Sequence, residues 1–248
     1  MKPNIIEISN LKKTYRGNTS PSVDGLTLSI SEGEVFGLLG PNGAGKTTTI
    51  HILCGLVRPD SGEAKVCGYS VFREMSKIRE MIGVVPQDFA LYPSLTAIEN
   101  LMVYGGVYGL PKRELKERID SLLAIFDLTT NRNRRIEHYS GGMKRRVNLI
   151  AGLLHRPKVL FLDEPTVGID VQSRHVIIEN LKRFNQEGTT MVYTSHHLDE
   201  AEHFCSHIAL VDEGHVICEG EPAALIAQEQ TKNLEELFLK KTGKKVRD

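Results

Sequence analysis

Short apolar runs punctuate the chain, each bounded by Gly, Pro or Asp: Val35–Leu39, Ile82–Val85, Val159–Leu162, Met191–Thr194 and Ile208–Val211. Runs of this length between turn formers predict strands. Between them the apolar period changes. Leu115, Ile119, Leu122, Leu123 and Phe126 recur at helical spacing, as do Met143, Val147, Ile150 and Leu154, and later Ile177, Leu181 and Phe184. Strands alternating with helices predict an α/β fold with a mainly parallel sheet covered on both faces.

Two stretches break the rhythm. Over the first sixty to seventy residues, Ile6/Ile8 and Leu26/Leu28/Ile30 alternate in Gly-rich surroundings, which predicts a small antiparallel layer. From about Phe89 to Ala151 no strand pattern appears, and the stretch reads as a helical insertion. The end, Leu234–Asp248, reads as a short amphipathic helix with a basic tail of Lys240, Lys241, Lys244, Lys245 and Arg247, a disordered, solubilising end in preference to a segment lying near an anionic leaflet. The expected organisation is one unit over 1–230, with a helical arm inserted at about 88–155, followed by 231–248.

The strand Val35–Leu39 leads into Gly40-Pro41-Asn42-Gly43-Ala44-Gly45-Lys46-Thr47, and a helical run, Thr48–Leu56, follows. Strand, glycine-rich loop and helix in that order form a phosphate cradle. Glycines let backbone N–H groups point inward, and the new helix adds its positive end. Lys46 is placed for the β- and γ-phosphates and Thr47 for Mg²⁺.

Val159-Leu-Phe-Leu-Asp163-Glu164 is an apolar strand ending in two acids. A parallel strand delivers its C-terminal residues to the ligand edge of the sheet. Asp163 is then expected to hold Mg²⁺, and Glu164 to act as general base on a water. A base aimed at water argues against a kinase, which must exclude water. Ser140-Gly141-Gly142 opens the run Met143–Leu154, with Ser140 at a capping position, a second anion-binding helix start in one chain.

Composition then narrows the partners. Lys+Arg and Asp+Glu both number 31, which offers no basic excess for a nucleic-acid backbone, and none is expected to bind. Cys54, Cys67, Cys205 and Cys218 show no metal or redox spacing and read as reduced thiols. No apolar window reaches the ~18 residues of a membrane helix. A membrane-spanning partner would therefore be another chain.

These motifs together resemble the nucleotide-binding subunits of ABC transporters over nearly the whole length. The resemblance implies ATP and Mg²⁺ as ligands and assigns further residues. Gln87, in Val84-Val-Pro-Gln87-Asp88, is similar to the family's glutamine loop and would join Thr47 and Asp163 at the metal. Ser140-Gly141-Gly142 resembles the signature, although Tyr139 and Met143 flank it where the family most often has Leu and Gln. Asp170 in Val167-Gly-Ile-Asp170 resembles the D-loop. His196 resembles the switch histidine, with His197 a rival beside it, and Tyr15 the aromatic on adenine. Asn42, Ala44 and Thr48 complete the nucleotide set.

The implied unit is a head-to-tail pair, with a second copy or a homologous ATPase subunit, bound to a membrane-spanning permease from the cytoplasmic face. The wording Ser-Gly-Gly-Met-Lys-Arg-Arg resembles the branch that exports drugs, lipids or polysaccharides. The alternative is an ABC ATPase acting on ribosomes or DNA. It is disfavoured because such relatives usually carry two cassettes or a long heptad insertion. Phe89, Leu91 and Tyr92 are expected in the permease-docking groove. Lys144-Arg145-Arg146 reads either as a contact for acidic partner groups or as the wet face of a helix.

Overall fold

The computed structural model describes residues 2–243. Its centre is a six-stranded sheet in the order β10-β9-β3-β8-β7-β6, made of β3 (Val35–Leu39), β6 (Ile82–Val85), β7 (Val159–Asp163), β8 (Thr190–Ser195), β9 (His207–Asp212) and β10 (His215–Gly220). All neighbours pair in parallel except the edge hairpin of β9 and β10. A second, antiparallel sheet of β1 (Asn4–Lys13), β2 (Val23–Ser31), β4 (Ser61–Val66) and β5 (Tyr69–Ser70) runs in the order β2-β1-β4-β5. Both expected layers are present, the parallel one from the continuous apolar runs and the antiparallel one from the period-2 alternation.

The central strands are apolar throughout because they serve two cores at once. In β7, Val159 and Phe161 pack toward the antiparallel sheet, while Leu160 and Leu162 pack toward the helices. In β3, Phe36 and Leu38 take the first side and Val35 and Leu39 the second. Successive side chains of a strand point to opposite faces, so a covered parallel strand has no polar face to alternate with.

Between β6 and β7 lie α3 (Ala97–Val107), α4 (Lys112–Ile125) and α5 (Gly141–Leu153), with two short 3-10 turns before α5. Thr96 and Glu99 form a reciprocal capping box that sets the start of α3. Helix α4 buries Leu115, Ile119, Leu122 and Leu123, the stripe read from the sequence. α1 (Lys46–Leu53) lies between β3 and β4, and α2 (Met75–Arg79) precedes β6. Helix α6 (Val171–Gln186) links β7 to β8, and α7 (Leu198–Phe204) links β8 to β9. Helices α8 (Pro222–Glu229) and α9 (Leu234–Thr242) close the described chain.

Two expectations need correction. Helix α1 runs over Lys46–Leu53, not 48–56, because Gly45 already serves as its N-cap and the chain turns off at Cys54. The C-terminal basic residues are not all loose charge: Lys240 and Lys241 both pair with Glu229, while α9 buries Leu234, Leu237 and Phe238 in the helical core. Lys244, Lys245 and Arg247 lie outside the described residues. No helix among the described residues is long and apolar enough to cross a membrane.

Candidate functional site

Because β3, β6, β7 and β8 are parallel, their C-terminal ends share one edge of the sheet. That edge collects Gly40 after β3, Gln87 after β6, Asp163 and Glu164 at the end of β7, and His196 after β8. Residues far apart in sequence therefore meet without any unusual local structure.

The phosphate loop is forced to be glycine at two points. Gly40 has φ +153° and a Cβ there would stand 2.0 Å from the Val211 carbonyl oxygen. Gly45 has φ +102° and a Cβ there would stand 2.2 Å from the Ser22 carbonyl oxygen. Asn42, Gly43, Gly45, Lys46, Thr47 and Thr48 line a cleft that Gln87, Glu164 and Ser22 complete. Pro41 and Ala44 turn inward instead. The Pro41 carbonyl accepts from Lys46, and the Ala44 carbonyl accepts from Gly214.

Lys46 is 4% exposed, and its Nζ donates to the carbonyls of Gly40 (2.7 Å) and Pro41 (3.0 Å). It also lies 3.5 Å from Glu164 Oε1. Burial pushes the lysine pKa down, and the charges of Glu164 and then Asp163 oppose that. Asp163 Oδ1 accepts from Thr47 Oγ1 (3.1 Å) and Thr194 Oγ1 (2.6 Å). The Glu164 backbone N–H donates to the same Thr194 hydroxyl at 3.1 Å. Glu164 holds φ +47°, a left-handed conformation that a non-glycine residue keeps only when its surroundings impose it. Both of its carboxylate oxygens lie 3.1 Å from His196 Nδ1. The rival His197 makes no such contact and lies tilted against the His196 ring. Tyr15 is partly exposed, with its hydroxyl 3.5 Å from Thr48 Oγ1.

Ser140, Gly141, Gly142 and Asp170 stand apart from that cleft and form a second group. Ser140 caps α5 by accepting from Met143 N at 3.3 Å. Asp170 caps α6 by accepting from Ser173 N at 2.8 Å, and this bond pulls its carboxyl below the usual range. A Cβ on Gly142 would stand 2.1 Å from Ser173 Oγ, so this glycine is the contact point of α5 and α6. Gly141 stays exposed, and a Cβ on it would meet nothing closer than the Gly168 carbonyl oxygen at 3.8 Å.

Three residues of the site escape the sequence reading. Thr194 gives one signal, a hydroxyl ending a buried strand beside the acidic one. Ser22 gives none. Arg145 reads with its neighbours as either a wet helix face or a partner contact, and it is neither. It is 3% exposed and donates to the carbonyls of Pro86 (2.9 Å) and Gln87 (2.7 Å).

With this geometry in hand, the chain was compared with known proteins. The ABC transporter family profile matches residues 23–167. The linearmycin resistance ATP-binding protein of Bacillus subtilis is 47% identical over 224 residues, covering 90% of this chain and 71% of that protein. The Nod factor export ATP-binding protein I of Paraburkholderia xenovorans is 42% identical over 233 residues, covering 94% and 76%. Among solved structures, an ATP-binding cassette captured as a dimer after hydrolysis, with ADP and phosphate, superposes with a TM-score of 0.80. It is 29% identical, and the match covers 87% of this chain and 98% of that one. The parallel sheet, the phosphate loop and these relatives agree: the chain belongs to the ABC transporter family and is one of its ATP-binding, ATP-hydrolysing subunits.

Proposed function

We propose that this subunit hydrolyses ATP on the Gly40–Thr48 loop, with Glu164 as general base, and that the cycle drives export through a separate membrane-spanning permease. The observation that carries the chemistry is the convergence of Lys46, Asp163, Glu164 and His196 at the end of parallel strands, with Gln87 on the same cleft.

In this reading the loop N–H groups and Lys46 hold the β- and γ-phosphates. Glu164 takes the proton of the attacking water at a carboxylate oxygen. The water oxygen bonds to the γ-phosphorus while the bridging P–O bond breaks, and its electron pair leaves with ADP. His196 holds the Glu164 carboxylate from the other side, and Gln87 faces the attacking side of the cleft. Tyr15 offers a ring for the base. Thr47 and Asp163 place a hydroxyl and a carboxylate 3.1 Å apart beside the loop. With the Gln87 amide this is a hard-oxygen set that suits Mg²⁺ shared with phosphates. Bound there, Mg²⁺ supplies charge neutralisation to the phosphate oxygens.

The second group, Ser140–Gly142 with Asp170, would serve the nucleotide of a partner copy in a head-to-tail pair. Its separation from the cleft supports that arrangement. Residues 1–230 then form the ATPase unit, with the arm at about 88–155 presenting Phe89, Leu91 and Tyr92 to the permease. Phe89 and Tyr92 are 42% and 53% exposed. The names of the two relatives, one for resistance and one for export, favour the export direction. This subunit would sit on the cytoplasmic face.

Glu164→Gln tests the chemistry. It is expected to lower kcat by roughly 10²-fold or more while nucleotide binding stays within about threefold. Steady-state ATPase assays with a binding titration measure both, and near-normal turnover would remove Glu164 from the role.

A further inference from the structure

The run Lys144-Arg145-Arg146 near the start of α5 divides its work. Arg146 stays within the arm, donating from Nη1 to the Phe126 carbonyl (2.9 Å) and from Nε to the Gly142 carbonyl (3.4 Å). Arg145 reaches out of the arm to the segment that follows β6. Its two terminal nitrogens take the consecutive carbonyls of Pro86 and Gln87, and its guanidinium carbon lies 4.9 Å from the centre of the Phe89 ring. Asn148, one turn further along α5, also donates to the Pro86 carbonyl, at 3.3 Å.

This is an unusual place for a cation. Arg145 is 3% exposed, and among the described residues no carboxylate lies within ion-pair distance of it. Its Nε is buried without a hydrogen-bond partner among them. Burial lowers its pKa, and Asp88 and Asp163 are the charges that oppose this. What satisfies the guanidinium is two backbone carbonyls and an aromatic face. Separating α5 from the Gln87 segment would leave a buried cation with neither, which is costly. The two pieces are therefore held as one.

We propose that Arg145 is a positioning residue that locks the Gln87 segment to the start of α5, so that Gln87 and the Ser140–Gly142 helix start move as a single body. Gln87 lines the cleft of its own chain, whereas Ser140–Gly142 do not. A change at one nucleotide would thus reach the other through one side chain. The inference rests on the reading of Gln87 as a nucleotide-site residue.

The test is a double-mutant cycle in the full chain: Arg145→Met, Gln87→Ala, and both, with Arg145→Lys as the conservative variant. Thermal unfolding checks the fold, and steady-state kinetics separates kcat from KM. Arg145→Met is expected to lower kcat about tenfold with KM within about twofold, and Arg145→Lys, which cannot span both carbonyls, to recover only part of it. In the Gln87→Ala background the Arg145 substitution is expected to add nothing. Independent, multiplying effects would overturn the proposal while leaving Gln87 in place. So would full recovery by lysine. If Gln87→Ala alone leaves kcat unchanged, the reading of Gln87 fails and the proposal falls with it. If Arg145→Met does not fold, the cycle is completed with Arg145→Lys, which keeps the charge.

Discussion

The chain has two helix starts suited to anions, and they are built on opposite plans. Helix α1 begins at Gly45, which has no side chain to cap it, and its first residue is the buried Lys46. Helix α5 begins at Ser140, whose hydroxyl already accepts from Met143 N, with Gly141 exposed to solvent behind it. The first leaves its donors to the ligand and brings a cation to meet it. The second satisfies one of its own donors and brings no cation from its first two residues. One start is a cradle complete within the chain. The other, in the head-to-tail pair proposed above, would meet a phosphate held by the partner copy.

Glycine substitutions break this comparison most sharply. Gly45→Ala meets the Ser22 carbonyl at 2.2 Å and a left-handed backbone together. A loss of about 3 kcal/mol or more is expected, along with loss of ATP binding, since neither neighbour is a flexible side-chain end. Gly141→Ala has nothing within 3.8 Å. It is expected to change stability by less than about 0.5 kcal/mol, within the range of ordinary surface substitutions. Thermal or urea unfolding of both variants, with a nucleotide titration, decides it, and equal costs would erase the distinction.

Ser140→Arg sharpens the same contrast at the level of assembly. In a Glu164→Gln background, MgATP is expected to convert monomer to dimer in size-exclusion chromatography with light scattering, and MgADP is not. Adding Ser140→Arg is expected to abolish that shift and to leave ATP affinity of the monomer within about threefold, because the cradle at Gly45 is untouched. A double variant that still dimerises on MgATP would free Ser140 from the interface.

The smallest effect concerns the junction between arm and sheet. His155 is half-buried, stacks on Tyr108 with ring centres 3.6 Å apart, and contacts the Ile82 carbonyl at 2.8 Å. Burial lowers its pKa from 6.5, and the Ile82 contact opposes this more weakly. Below pH 6.5 the unfolded chain therefore binds the proton more readily than the folded one. The stability contributed by the neutral ring is present above that pH and is lost as pH falls toward the depressed folded value. The melting temperature of the wild type is expected to fall by a few degrees more between pH 7 and pH 5.5 than that of His155→Gln. Parallel curves would assign the pH dependence elsewhere.

What was legible in the sequence follows how local each signal is. The Gly40–Thr47 loop is a contiguous strand, turn and helix, and the positions of Asp163 and Glu164 follow from one apolar run. Arg145 was not legible because amphipathic periodicity presumes a single buried face. Met143, Val147 and Ile150 mark one stripe of α5, and Arg145 lies off it. That other side meets the Gln87 segment rather than water, so most of the helix is buried, including Arg145 and Asn148. A helix wedged between two bodies has two inner faces, and a polar residue opposite the apolar stripe reads as solvated in the sequence. Thr194 escaped for a related reason: its partners, Asp163 and Glu164, are about thirty residues away and meet it only across the β7–β8 pairing.

The insertion of α3, α4 and α5 between two neighbouring strands has a consequence for how such a protein can diversify. The arm leaves at the end of β6 and rejoins at the start of β7, and these strands pair from Ile82–Val159 to Val85–Leu162. Its two roots are therefore separated by little more than one four-residue strand, about 13 Å. A different segment can replace α3 and α4 without shifting the register of the sheet, provided α5 keeps Ser140–Gly142 in place and Arg145 on the carbonyls of Pro86 and Gln87. Length is also cheap there, since closure entropy grows only logarithmically with the size of the insert. Lineages built on this plan are free to redesign α3 and α4 while inheriting the fuel chemistry unchanged.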